Sequence, residues 1–166
     1  MSDNYWLSID PSNTGTGITE WNSRRLENHF VIKPMGKKGR YYFGTEVVSS
    51  RREAYYRLVN LGKPSEVYIE RGMGRFASAV NAQGWLRGYI ASKFEEAYDF
   101  LPTEVVVSEW RRVIKEDQGI SWPAKRERKK ALAIELVKEL YNIDVCDDEA
   151  DAILLGRAAQ RMFNIK

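Results

Sequence analysis

Tyr5-Trp6-Leu7-Ser8-Ile9-Asp10, followed by Pro11-Ser12-Asn13-Thr14-Gly15, reads as a strand apolar enough to be central in a sheet, stopped by a turn cluster. Its last residue is an acid. Gly15-Thr16-Gly17-Ile18-Thr19-Glu20-Trp21 has the pattern of a second strand, Asn22-Ser23 of a tight hairpin turn, and residues Leu26 to Ile32 of a third strand. Lys37 to Tyr42 is basic and Gly-rich and is assigned to a loop or irregular edge.

Beyond this meander the period changes. Val47, Val48, Ala54, Tyr55, Leu58 and Leu61 fit a helix over Val47 to Leu61, ended by Gly62-Lys63-Pro64. Glu66-Val67-Tyr68-Ile69-Glu70 is a short strand, again closed by an acid, and a long helix follows from Phe76 to Phe100. Glu104 to Ser108 is a strand and Trp110 to Lys115 a short helix, with a loop through Gly119 and Pro123. Ala124 to Tyr141 carries Leu132, Leu136, Val137 and Leu140 on one helical side. Asp148 to Phe163 is a last helix, with acids at its N-terminus where the macrodipole favours them. This order predicts an α/β fold: a mixed five-stranded sheet, antiparallel meander then parallel strands, flanked by helices.

With 166 residues, 43% of them hydrophobic and 30% charged, the chain suits one globular domain over residues 1–166 and not a disordered or low-complexity protein. The single Cys146 excludes an internal disulfide and a zinc cluster. No run approaches the roughly 20 apolar residues of a membrane span, and Met1-Ser2-Asp3-Asn4 lacks the start of a signal peptide. The expected compartment is the cytoplasm. Net charge is only +3, but it is unevenly spread. Arg111 to Lys130 holds eight basic residues against three acids, while Asp144 to Asp151 holds five acids and no base. One region suits an anionic partner; the other requires a cation.

Asp10 and Glu70 each end an otherwise apolar strand, and Asp148 and Asp151 lie three apart at a helix start, on one face. Neighbouring strands would bring Asp10 and Glu70 together, and the last helix could add its pair. Four converging carboxylates repel one another, which hard divalent cations relieve through oxygen ligation. A pair of Mg²⁺ or Mn²⁺ ions in such a site activates water and offsets charge on a departing oxygen in phosphoryl transfer. Taken singly, each acid is as well explained as a turn former or helix cap, and Asp147 shares nearly the face of Asp148.

Three segments resemble the motifs of RuvC-type Holliday-junction resolvases, which have an RNase H-like fold. They are Ser8-Ile9-Asp10-Pro11-Ser12-Asn13-Thr14-Gly15, Tyr68-Ile69-Glu70-Arg71 and Asp148-Glu149-Ala150-Asp151-Ala152-Ile153. Ala79 to Gly84 resembles the family's dimerising helix, and Lys129-Lys130-Ala131-Leu132-Ala133 its basic, DNA-facing helix. The likeness spans nearly the whole chain, and the compact form is closest to phage-type members. One departure is Ser12, where the family usually has Gly. The resemblance implies a homodimer that binds branched DNA and cuts opposed strands with two ions per site. The ions would be held by Asp10, Glu70, Asp148 and Asp151, and the products would be nicks with 5′-phosphate and 3′-hydroxyl ends. It also implies an apolar residue after Glu70 that inserts at the junction. Met73 has the offset and Phe76 the better stacking surface, with Arg71 and Arg75 beside them.

For the remaining DNA surface, Arg111, Arg112 and Lys115 follow a strand, and Lys125, Arg126, Arg128, Lys129 and Lys130 open a helix, where cations oppose the dipole. Lys37, Lys38 and Arg40 form a weaker candidate, and Trp110 and Trp122 suit either core or contact. His29 reads as a surface residue; Arg157 is a minor candidate for a basic group near the metals. Three rival readings remain at this level: a catalytically inactive binder of branched DNA, an RNase H-like enzyme for RNA–DNA hybrids or a transposase-like activity, and a phosphate-binding domain like those of actin and sugar kinases, suggested by Asp10 to Gly17.

Overall fold

The computed structural model describes residues 4–72 and 77–166. Seven strands form one sheet: β1 (Tyr5–Asp10), β2 (Thr16–Asn22), β3 (Arg25–Pro34), β4 (Tyr41–Phe43), β5 (Glu46–Val48), β6 (Glu66–Arg71) and β7 (Thr103–Val106). Their spatial order is β5-β4-β3-β2-β1-β6-β7. The pairs from β5 to β1 are antiparallel, whereas β1, β6 and β7 run parallel. The helices are α1 (Arg51–Val59), α2 (Ala77–Tyr98), α3 (Val107–Gln118), α4 (Arg126–Tyr141) and α5 (Asp147–Met162).

The mixed α/β architecture is the expected one, with two corrections to its edge. The sheet has seven strands and not five, because β4 and β5 form a hairpin on β3. The segment assigned to loop therefore holds a 3-10 turn, Gly36–Lys38, and a strand, and Val47 and Val48 belong to β5 rather than to the helix after it. Three-residue strands owe their state to pairing with a neighbour, which local pattern does not reveal. Likewise α3 starts at Val107, directly after β7, so the strand is shorter and the helix longer than read.

Alternation along β1 sorts the core into two layers. Leu7 and Ile9 face a cluster with Ile18, Val67, Ile69, Leu58 of α1 and Leu86, Ile90 and Phe94 of α2. Trp6 faces the other, with Trp21, Tyr68, Trp110, Ile114, Leu136, Val137 and the apolar side of α5. Asp10 is in phase with Trp6 and Ser8, and Glu70 with Tyr68, so both acids point to the α3–α4–α5 side. Among the described residues, no helix is long and apolar enough to cross a membrane.

Candidate metal centre

The first two acids are delivered by strand register. β1 and β6 pair in parallel, with Ile9 beside Ile69, so the next residues, Asp10 and Glu70, sit side by side at the strand ends. Glu70 is also opposite Val105 of β7, from which α3 departs at once. That abrupt exit brings Trp110 over the acid: its indole Nε1 donates a 2.7 Å hydrogen bond to Glu70 Oε2. The carboxylate is thereby fixed in orientation and its ionised form favoured.

The second pair is delivered by α5, which lies unusually close to the sheet. Its buried residues include the small Ala150, Ala152, Gly156, Ala158 and Ala159 beside Ile153, Leu154 and Leu155. A methyl on Gly156 would stand 2.5 Å from both Ser8 Oγ and Trp21 Nε1, and one on Gly17 only 2.0 Å from the Asp148 carbonyl oxygen. Gly17 is the register partner of Asp10, so its missing side chain lets the first turn of α5 rest on β2 beside that acid. A buried polar lock holds the seat: Ser8 Oγ donates to the Ala152 carbonyl at 2.8 Å and meets Thr19 Oγ1, while Trp21 Nε1 donates to Thr19 Oγ1 at 2.7 Å. Cys146 is the N-cap residue, and its N–H donates to Glu149 Oε2 at 2.9 Å. Glu149 also meets His29 Nδ1 at 2.8 Å, tying α5 to β3. Asp147 pairs with Lys130. This separates the neighbours: Asp147 and Glu149 have protein partners, whereas Asp148 and Asp151 enter no ion pair among the described residues.

Electrostatics tie the four acids together. Burial pushes the Asp10 carboxyl well above the usual carboxylate range, and the charges of Glu70, Asp151 and Asp148 push it further. Glu70 is raised to about 7 by burial and by Asp151, despite the Trp110 hydrogen bond and the Arg111 charge. Asp151 is raised to about 6, chiefly by burial and with Asp147 and Asp148 adding to it, while Arg111 and Lys130 oppose. Asp148 is raised by burial and Asp147 and lowered by Lys130 and Lys33. Such a set suits hard cations: all donors are oxygen, their ionised forms repel, and none is used up by a Lys or Arg contact. Among the described residues, the one group of three metal-capable atoms all within 4.8 Å of one another is Cys146, Asp147 and Asp148. Asp10, Glu70 and Asp151 do not all close to that distance.

The basic residues read as a single run divide into different environments. Arg112, Lys115, Lys125, Arg126 and Arg128 are exposed, with Lys125 preceding the first turn of α4; Lys129 is half-buried. Lys130 is engaged by Asp147, and Arg71 reaches Glu104 at 3.7 Å. Arg111 packs against two indoles, its Cζ 5.2 Å from the Trp110 ring centre and 5.6 Å from that of Trp122. Trp110 is fully buried and Trp122 partly so, edge to face, which makes both core residues. Met73, Arg75 and Phe76 lie outside the described residues. Arg157 binds Asp117 at 2.8 Å, and Arg161 binds the same acid, so Arg157 serves the α3–α5 contact. Lys33, not singled out from sequence, acts on Asp148; it follows His29 and Val31 in phase on the α5-facing side of β3, a signal that alternation carries.

No protein-family model and no curated protein matches the sequence. Among solved structures, T. thermophilus RuvC in complex with a Holliday junction substrate matches with a TM-score of 0.64 at 16% identity, over 98% of each chain. A second Thermus thermophilus RuvC structure matches with a TM-score of 0.61 at 16% identity, over 97% of each chain. The described residues therefore share the fold of these RuvC structures, a mixed sheet flanked by helices of the RNase H-like kind.

Proposed function

We propose that this chain is a metal-dependent endonuclease that resolves four-way DNA junctions. One observation carries the proposal: three separate elements, β1, β6 and α5, bring Asp10, Glu70 and Asp151, whose charges act on one another, and Asp148 beside them to one edge of a RuvC-like sheet. The neighbour that was solved with a Holliday junction substrate supports branched DNA as the substrate class.

Asp10, Glu70, Asp148 and Asp151 would hold Mg²⁺ or Mn²⁺, two ions per site. When bound, these supply an activated water and offset charge on the departing 3′ oxygen, leaving 5′-phosphate and 3′-hydroxyl ends. The chain's own groups position the rest. Trp110 orients Glu70, the Ser8–Thr19–Trp21 lock seats α5, and the exposed cations of α3 and α4 bind phosphates flanking the cut. A homodimer, with α2 as its interface, would cut opposed strands as a pair. In support, Trp85 of α2 is 55% exposed while stacking on Tyr89.

The test is a panel of labelled four-way junction, flap, fork, linear duplex and RNA–DNA hybrid, each with Mg²⁺, Mn²⁺ or EDTA. The expected outcome is EDTA-sensitive cutting of the junction, with little or none of the linear duplex. Junction binding without cutting in either metal would replace this reading with that of an inactive binder. ATP hydrolysis without DNA would favour the kinase-like reading.

A further inference from the structure

We propose that the Arg111 guanidinium binds the non-bridging oxygens of the phosphodiester being cut, and so belongs to the reaction centre and not to the flanking DNA grip. The inference rests on the nuclease reading above. Its starting point is how the side chain is held. Its Cζ lies against the faces of Trp110 and Trp122, and Trp122 Nε1 donates to the Arg111 carbonyl at 2.8 Å, closing the loop after α3 around it. Contact with the indoles holds the planar fork pre-organised, so less freedom is lost when it takes a bidentate anion such as phosphate.

The second observation is where the charge acts. Arg111 is the cation felt in common by Asp10, Glu70 and Asp151, yet among the described residues it makes no ion pair with any acid. Its Nε is buried without a hydrogen-bond partner. If the guanidinium served only to neutralise the cluster, a two-pronged contact with one carboxylate would be the strongest arrangement available to it. Instead the acids keep their oxygens, and the guanidinium is held by its contacts with the two indoles, which leaves its outer amino groups for another acceptor.

A fixed positive charge beside a cation-binding cluster lowers metal affinity, so by itself it is a cost. The two features become compatible when an anion joins them. As the water oxygen bonds to phosphorus and gives up a proton to solvent, and the bond to the 3′ oxygen breaks with that oxygen taking a proton from solvent, charge builds on the non-bridging oxygens. A preplaced guanidinium stabilises that charge without reorganising. Trp110 then has two tasks from one ring, orienting Glu70 through its N–H and Arg111 through its face.

The experiment compares wild type with Arg111→Gln and Arg111→Lys. Single-turnover cutting at saturating junction and Mn²⁺ should fall about 100-fold or more in R111Q, the usual effect of removing one transition-state donor. R111K should recover only part, because an ammonium lacks the planar fork. Junction affinity in Ca²⁺ should change by less than about threefold, one phosphate contact among several. Calorimetric Mn²⁺ affinity without DNA should rise in R111Q and stay near wild type in R111K. Wild-type cutting rates in R111Q, or junction binding lost in step with cutting, would overturn the proposal. A wild-type protein that cuts no junction overturns the nuclease reading instead, so the two failures are distinct. Should R111Q melt well below wild type, R111K decides alone: full cutting activity in it would overturn the proposal.

Discussion

At the scale of single residues, the acids' raised protonation has a definite consequence. Glu70 and Asp151 hold protons up to about 7 and about 6 in the folded chain, whereas carboxyls in an unfolded chain titrate near 4. At these two groups the folded, metal-free chain therefore binds more protons than the unfolded one between those values. Their contribution to stability is fully present below about pH 4 and is lost as pH rises through about 7. Metal reverses the preference, because it needs the ionised forms. Added Mn²⁺ should thus raise Tm little near pH 5.5 and much more near pH 8, where metal at a hundred times its Kd adds about 2.7 kcal/mol, or roughly 5–10 °C. Thermal melts across that pH range measure it. An increment independent of pH would mean that these acids do not hold the ion. Asp10, Glu70 and Asp151 were legible because an acid closing an apolar strand, or opening a helix three residues from another, is conspicuous. The confinement of Arg111 was not, since its partner Trp122 lies across a loop that no periodicity describes.

At the scale of elements, the close seat of α5 decides whether Asp148 and Asp151 reach the strands. Gly17→Ala puts a methyl 2.0 Å from the Asp148 carbonyl oxygen and 3.1 Å from Ala152 Cβ, both backed by packed helix. The helix must lift, at a cost of about 1–3 kcal/mol or more, and cutting should fall further than stability alone explains. Gly88→Ala supplies the contrast: the site is exposed on α2 with nothing within 4 Å, so it should gain up to about 1 kcal/mol of helix propensity. Denaturant melts compare the two; equal effects would contradict the close seating of α5 on β2. Long elements were legible from period, α4 and α5 to within a residue or two. The β4–β5 hairpin was not, because its two three-residue strands are stabilised by the edge of β3 and not by their own sequence. The boundary between β7 and α3 was blurred by the run Val105-Val106-Val107, whose β-branched residues cross from strand into helix.

At the scale of the whole molecule, acids close the central strands, α3 leaves the end of β7 directly, and exposed cations stand on α3 and at the start of α4. DNA lying across that end would release counterions from each phosphate it brings to these cations. Neutralising Lys125, Arg126 and Arg128 together should weaken binding of every branched substrate alike. It should also reduce the slope of log affinity against log salt by about 0.9 for each phosphate no longer neutralised. An unchanged slope would place the DNA elsewhere. Lys130 should behave differently, since its removal also frees Asp147 beside the acid cluster.

The central claim is that the four carboxylates form a metal centre that cuts a DNA junction, and one gel tests it most directly. A labelled four-way junction is incubated in Mn²⁺ with wild type and with Asp10→Asn, Glu70→Gln and Asp151→Asn, and cut product and shifted complex are read together. The expected result is cutting by wild type alone, with every variant binding the junction at least as tightly, because each removes a negative charge facing phosphate. A variant that still cuts, or that loses binding in proportion to cutting, would contradict the claim.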